Sequence, residues 1–253
     1  MTGGLIIINR IFLTALVGAM IAGLLLGVMQ HFTVVPLVLQ AETYEQSTAP
    51  AHEHQKNHDH AGGAEHEPWA PTDGVERTLF TFLNTVISSI GFALLLVACY
   101  AMQKTINWRL GVVWGLGGFI SFHLAPAFGL PPELPGAAAA ALEARQGWWF
   151  LTVVFTAGGL LTIAFISGQF RWLGIVLIGF PHLLGAPQPD SHVGLAPAEL
   201  ERTFVVTSLI TNAVFWVVLG AVTASIYARF ERYSKQPRRD PDIRAGNSEE
   251  IES

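Results

Sequence analysis

Five of the nine histidines in this chain crowd into one short polar stretch, residues 51–71, which reads AHEHQKNHDHAGGAEHEPWAP. Two pairs are spaced two residues apart, so a flexible chain can bring both members to one divalent ion, with nearby Asp and Glu as oxygen donors. The composition favours metal capture over a solvated linker. It does not select the metal, because such ligands hold nickel, copper and zinc more tightly than cobalt. The five are His52, His54, His58, His60 and His66.

Three further histidines stand at the ends of apolar runs, and a proline follows each of them. An imidazole in this position can hydrogen-bond carbonyl groups that the proline frees, or it can ligate Zn, Cu, Ni or Co. If three helical hairpins repeat this plan, His31, His123 and His182 come to one depth and form a ring of metal ligands. The segments are HFTVVP at 31–36, HLAP at 123–126 and HLLGAP at 182–187.

The composition is that of a membrane protein. Hydrophobic residues make up 51% of the chain and charged residues 13%, whereas a soluble domain has about a quarter charged residues. The net charge of -5 argues against nucleic-acid binding. A helix needs roughly 20 mostly apolar residues to cross a bilayer. Such runs lie at 11–30, 79–102, 109–128, 148–168 and 203–227, and a shorter one, which can be re-entrant, lies at 172–185. The first run is longer than the apolar part of a signal peptide and predicts an uncleaved anchor.

The placement of Lys and Arg predicts six crossings rather than five. With six, ten of the 14 basic residues fall on one side, and the positive-inside rule places that side and both termini in the cytoplasm. We therefore predict an all-α integral membrane protein of about six transmembrane helices in three helical hairpins, or five if 172–185 does not span. Residues 1–230 form the transmembrane domain, with a histidine-rich periplasmic loop at 46–70. Residues 231–253 form a disordered cytoplasmic tail.

The interior of the apolar runs lacks the groups that catalysis or ATP binding requires. It holds no Asp, Glu, Lys or Arg, and the chain has neither a P-loop motif nor a nucleophile–base–orienter set. We therefore expect no enzyme activity. The small-residue pairs Gly23/Gly27 and Gly111/Gly115 permit close helix packing or a homo-oligomer.

Several stretches carry a family resemblance, and the most specific are GFISFHLAPAFGLPPELPG (118–136) and GFPHLLGAPQP (179–189). Together with RIFLTALVGAMIAGLLLG, VVPLVLQAETYE, GVERTLFTFLNT and ARQGWW, they resemble the proposed cobalt transporter subunit family CbtA over most of 10–227. The resemblance implies a bacterial inner-membrane protein with five spans, cobalamin-related cobalt uptake, and a small single-span, histidine-bearing partner, CbtB. The prolines of GLPPELPG fix an extended backbone that can hold Glu133 over the outer end of the third helix. Glu133 is then either a metal ligand or the ion-pair partner of an arginine.

These features predict a membrane subunit of a divalent-metal uptake transporter with no permanent cofactor. Co²⁺ is the expected substrate, with Ni²⁺ and Zn²⁺ left open. The periplasmic loop captures ions, and the outer-end histidines pass them to a polar seam between helices. The alternative is a non-conducting metal-sensing or assembly protein of the membrane. A membrane haem protein that uses His123 and His182 is a third hypothesis, and it requires a coloured preparation.

Overall fold

The computed structural model describes residues 2–48, 72, 74–189 and 194–235, and all regular secondary structure in these residues is helical. The helices are α1 (Thr2–Thr33), α2 (Val35–Thr48), α3 (Val75–Ala101), α4 (Trp108–Ala127), α5 (Leu142–Phe165), α6 (Arg171–Leu184) and α7 (Ala198–Lys235).

Local sequence explains where two of these helices begin and end. Asn107 caps α4, because its side-chain oxygen accepts a hydrogen bond of 2.9 Å from the Leu110 N–H. Gly185 ends α6 with a φ of +82°, a conformation that side chains with a Cβ disfavour. Within α4 a π-helical turn occupies Ile120–Leu124, and the helix resumes its α form as far as Ala127.

Among the described residues, five helices are long and apolar enough to cross a membrane, namely α1 from Ile8 onward, α3, α4, α5, and α7 as far as Arg232. They coincide with the five long apolar runs of the sequence, so the prediction of an all-α, multi-span membrane protein is confirmed. α6 has 14 residues, which is about 21 Å of helix against a hydrocarbon core of roughly 30 Å. By length and composition the described part of the chain therefore has five candidate spans, and α6 falls short of the predicted sixth.

Several pairs of helices that pack against each other in the bundle run in opposite directions. Arg10 of α1 lies beside Tyr227 of α7, whereas Thr33 at the other end of α1 lies beside Thr211. In the same way α4 runs opposite to α7, and α5 runs opposite to α4. α6 runs back along α5, as shown by the contact between Trp148, near the start of α5, and the last turn of α6. This return brings the chain to the end of the bundle at which α7 begins.

The two ends of the bundle differ in chemistry. One end holds Arg10 and Arg109, at the starts of α1 and α4, and Arg229 near the end of α7, and we call it the basic end. The other end holds the last turns of α1, α4 and α6, and we call it the histidine end. His31, His123 and His182 lie there. The described chain starts and finishes at the basic end.

The predicted hairpins describe the helix pairs in part. α1 packs along α3 as expected, and α4 contacts α5 in the expected opposite direction but packs mainly along α7. α6 packs along α5 rather than along α7. The physical reason is backbone contact at glycines. A Cβ added to Gly111 would overlap the Gly220 carbonyl of α7, and Gly159 of α5 meets Gly174 of α6 in the same manner. The core therefore lies among α1, α3, α4 and α7, and the α5–α6 pair flanks it.

α2 closes the histidine end and has no counterpart among the predicted elements. Its Ala41 is buried in a second apolar cluster. An ion pair of 2.5 Å between Glu42 of α2 and Arg77 holds α2 against the start of α3. The other buried members of the cluster are Leu134, Ala196, Leu200 and Phe204.

Two predicted boundaries shift. Residues 46–48 of the predicted 46–70 loop belong to α2, and α7 continues to Lys235, past the predicted boundary at 231. Residues 49–71 and 236–253 lie outside the described residues, so neither the histidine-rich loop nor the disorder of the tail is tested.

Candidate functional site

His123 lies in the π-helical turn of α4, at the contact between α4 and α7. Its ring stacks on Phe119 at 6.2 Å and meets Trp216 edge-on at 6.3 Å, both between ring centroids. The Nε2 atom is buried and has no hydrogen-bond partner among the described residues. An unpaired buried polar atom costs about 1–3 kcal/mol, so it calls for a functional explanation. π-helical turns often mark functional sites, since the extra residue redirects side chains.

Two polar atoms of α7 share this unpaired state. The indole Nε1 of Trp216 and the hydroxyl of Ser208 are both buried without a partner in the described part of the chain. Trp216 contacts His123, and Ser208 lies two turns closer to the histidine end. The histidine half of α7 thus carries a buried hydroxyl group near its contact with the His123 imidazole.

His182 occupies the last turn of α6, directly after Pro181. Its ring lies edge-on to Trp148 at 5.8 Å and to Phe128 at 6.3 Å. The Trp148 Nε1–H donates a hydrogen bond of 3.3 Å to the Pro181 carbonyl, which fixes the indole against this turn. His182 lines an open cavity of about 420 Å³ together with Phe128, Trp148 and Gln188. The imidazole is therefore accessible from the histidine end.

His31 is exposed in the last turn of α1, where its ring contacts the neighbouring Phe32 edge-on at 5.1 Å. Thr33, two residues on, faces α7 and lies 3.4 Å from the Thr211 hydroxyl. His31 therefore stands at the surface of the bundle and away from the α4–α7 contact.

The expected ring of three histidines is not formed. Within the residues that the structure describes, no three His, Cys, Asp or Glu side chains lie close enough to hold one metal ion. The histidines share an end of the bundle, but His123 sits between α4 and α7, and His182 sits on the flanking α5–α6 pair. A common depth along the helices does not fix the direction of a side chain around each helix axis.

Glu133 forms an ion pair with Arg145 at the start of α5. Of the two roles predicted for Glu133, metal ligand or ion-pair partner of an arginine, this contact matches the ion pair. Both side chains are about a quarter to a third exposed, at 30% and 26%. The proline-rich loop also buries Leu134 in the apolar cluster below α2, so its rigidity serves packing at the histidine end.

Buried hydroxyl groups are distributed through the bundle, and a layer of aromatic rings crosses its interior. In this aromatic layer Phe92 contacts Trp216 at 4.8 Å and Phe122 at 5.0 Å, between centroids. On the basic side of the layer the Tyr100 hydroxyl lies 3.1 Å from that of Thr223. The buried hydroxyl residues of the described chain are Thr14, Thr85, Ser89, Ser121, Thr152, Thr156, Ser208, Thr211 and Thr223.

Trp216 and Trp148 were not among the predicted site residues, although each contacts a predicted histidine. Their positions in the sequence give little indication of a site, since a tryptophan inside or at the edge of a span is ordinary in membrane proteins. The π-helical turn was not predictable from the sequence either, because its five residues also occur in ordinary apolar α-helices.

The fold and these groups define a multi-pass helical membrane protein with imidazole side chains at one end. Residues 8–228 match the model of the family described as probable cobalt transporter subunit (CbtA). The match covers most of the chain, so the chain belongs to this family, as the resemblance of its motifs implied. Neither the curated proteins nor the solved structures contain a match.

Proposed function

We propose that this chain is a membrane subunit of a divalent-metal uptake transporter and that Co²⁺ is its substrate. Membership of the CbtA family supports both the metal and the transport role. Within the chain, the proposal rests on the unpaired, buried Nε2 of His123 at the histidine end. A neutral imidazole nitrogen ligates Co²⁺, and a passing cation satisfies an atom that otherwise has no partner.

The proposed topology has six passages and a cytoplasmic basic end. Alternating helix directions support six passages, with α6 as the short return between α5 and α7. More basic residues lie at the basic end than at the histidine end, where Arg77, Arg145 and Arg202 stand near the starts of α3, α5 and α7. This excess supports a cytoplasmic assignment of the basic end under the positive-inside rule. The histidine end then faces the periplasm of a bacterial inner membrane. α2 and α3, which flank residues 49–71, end and begin there.

Metal capture is the role that we propose for the histidine-rich stretch. His52, His54, His58, His60 and His66 lie outside the described residues, so the proposal rests on their spacing and on the position of the flanking helices. A chain of imidazoles raises the local concentration of cations at the histidine end, and it matters most when the metal is scarce.

The proposed route runs from His182 to His123 and on along α7, past hydroxyl groups that face α1 and α3. The cavity at His182 supplies access, and the hydroxyl groups of Ser208 and Thr211 lie on the histidine side of the aromatic layer. Tyr100 and Thr223 continue the polar lining on the basic side. Oxygen ligands of this kind bind cobalt more weakly than imidazole does, which favours release.

The aromatic layer must open for an ion to pass, because a strip of rings offers no ligand to a dehydrated cation. We propose that a small single-span, histidine-bearing partner of the CbtB kind opens it by shifting α4 relative to α7. Cobalt uptake by cells that express the chain, with and without such a partner, tests this. Uptake that requires both chains supports the proposal, and uptake that neither chain changes overturns it.

Replacing the five loop histidines by asparagine tests the capture role while keeping the loop length. We expect uptake to fall at scarce cobalt and to remain normal at saturating cobalt, because capture affects only the occupancy of the entrance. An equal loss at both concentrations would make the loop part of the conduit instead.

One observation favours a second candidate function. The aromatic layer closes the route, because its rings contact one another inside the bundle, which suits a non-conducting metal-sensing or assembly protein. Purified protein with its partner in liposomes that contain a cobalt-sensitive dye separates the two. A dye response on adding Co²⁺ supports transport. Cobalt binding without a dye response supports the second function.

A further inference from the structure

The basic end carries an open cavity of about 490 Å³ that the transport proposal does not use. It lies between the connection from α3 to α4 and the last turns of α7. Thr105 and Asn107 line one side, and Arg229 and Arg232 line the other. The side-chain oxygen of Asn107 accepts a hydrogen bond from the Leu110 N–H, and the amide nitrogen keeps two N–H donors for a ligand.

The charge of this cavity is positive. Arg229 and Arg232 are three residues apart in α7 and therefore share a face of the helix. Arg232 uses its Nε–H for a 3.4 Å contact with the Ala228 carbonyl, which leaves four guanidinium N–H groups. Glu231 is the one carboxylate in the lining. Arg109 does not line the cavity, but its guanidinium carbon lies 5.4 Å from the centroid of the ring of Trp108, which does.

An apolar groove of about 540 Å³ continues this cavity toward the middle of the bundle. Val17 and Ile21 of α1 form one wall, and Ala221 and Val222 of α7 form the floor. The groove and the basic cavity share three lining residues, Trp108, Ser225 and Arg229. From Arg229 to Ala221 the groove follows α7 for about 12 Å, inside the candidate spans of α1 and α7.

We propose that the basic cavity and the apolar groove form one binding site for an anionic glycerophospholipid. Arg229 and Arg232 hold its phosphate, because the guanidinium group donates paired hydrogen bonds that match phosphate oxygens. An acyl chain lies in the groove between α1, α4 and α7. Trp108 stands where the two parts meet, the depth at which an indole suits a membrane interface.

Charge and location select this ligand class over others. A soluble anion fits the arginines but leaves the groove unused. A zwitterionic lipid brings an ammonium group to a cluster of arginines, which repel it. A bound lipid in this position touches three of the four core helices, so it also stabilises their contact.

Retention of lipid by the purified protein, measured by native mass spectrometry, tests the site. The probes are dioleoylphosphatidylglycerol and dioleoylphosphatidylcholine at equal mole fraction in detergent. We expect the wild type to retain phosphatidylglycerol selectively. The double variant Arg229→Gln/Arg232→Gln is expected to lose about 25-fold in retention, since each basic residue at an anionic surface contributes about fivefold.

The variant Arg171→Gln/Arg202→Gln is the matched control, because it removes the same charge from two exposed arginines outside the site. It should retain phosphatidylglycerol as the wild type does. Ala221→Phe fills the groove and should also reduce retention, with both arginines intact.

Three results would overturn the lipid assignment. These are equal retention of the two lipids by the wild type, equal loss in both double variants, and full displacement of phosphatidylglycerol by millimolar inorganic phosphate. The last result would assign the basic cavity to a soluble anion.

Discussion

Replacing Gly111 by alanine should destabilise the bundle, because the contact between α4 and α7 has no room for a methyl group. An added Cβ would overlap the carbonyl group of Gly220 and the Cβ of Ala224. The Gly220 carbonyl is backbone, so the overlap is relieved only if the two helices separate. Overpacking of this kind costs about 1–3 kcal/mol. For a chain of this size each kcal/mol lowers Tm by about 2–4 °C.

The matched control is Gly91→Ala in α3, where nothing lies within 4 Å of the added Cβ. Alanine is the better helix former by up to about 1 kcal/mol, so this variant should be neutral or stabilised. Thermal unfolding of the purified protein in detergent, followed by circular dichroism, measures both. If Gly111→Ala unfolds at the same temperature as Gly91→Ala, the close α4–α7 contact is wrong.

A double variant refines this prediction. Gly220→Ala would place its own Cβ against the Gly111 carbonyl across the same contact. Once the helices have separated to relieve one overlap, the second adds little. We therefore expect the Gly111→Ala/Gly220→Ala variant to be less destabilised than the sum of the single variants.

Two smaller predictions concern the histidine end. Trp148→Phe removes the hydrogen bond to the Pro181 carbonyl and should lower the free energy of unfolding by about 1 kcal/mol. Trp149→Phe, at a residue 40% exposed, is the control and should stay within about 0.5 kcal/mol of the wild type. Equal effects of the two variants on Tm would contradict the α5–α6 contact. Glu42→Gln breaks an ion pair with Arg77 in which both side chains are about a quarter to a third exposed, and it should cost at most about 1 kcal/mol. A double-mutant cycle with Arg77→Gln that gives a much larger coupling would mean that the pair is effectively buried.

The five long helices and α6 could be predicted from the sequence because hydrocarbon demands a long apolar run and a hydrogen-bonded backbone. The predicted run 109–128 and the observed α4, Trp108–Ala127, differ by one residue at each end. α2 could not be predicted in this way. Its packing depends on a few apolar residues, with Ala41 against Leu200 and Phe204, which are distant in the chain.

The partners of the helices were harder to predict than the helices themselves. Gly111 and Gly115 indicated a close contact, and the structure confirms one, but a glycine does not specify which helix approaches it. The same limit affected the histidines. Their place at the helix ends was predictable from the apolar runs, whereas the direction of His123 depends on a π-helical turn and on Trp216 of α7.

Cobalt uptake by cells that carry His123→Ala tests the central claim most directly, with the amount of protein in the membrane measured alongside. His31→Ala is the control, since that exposed imidazole stands apart from the α4–α7 contact. We expect His123→Ala to lower uptake by about tenfold or more, the range typical when a group that supports a metal site is lost, and His31→Ala to have a much smaller effect. Equal uptake by the two variants, at equal membrane levels, would contradict a metal route through His123.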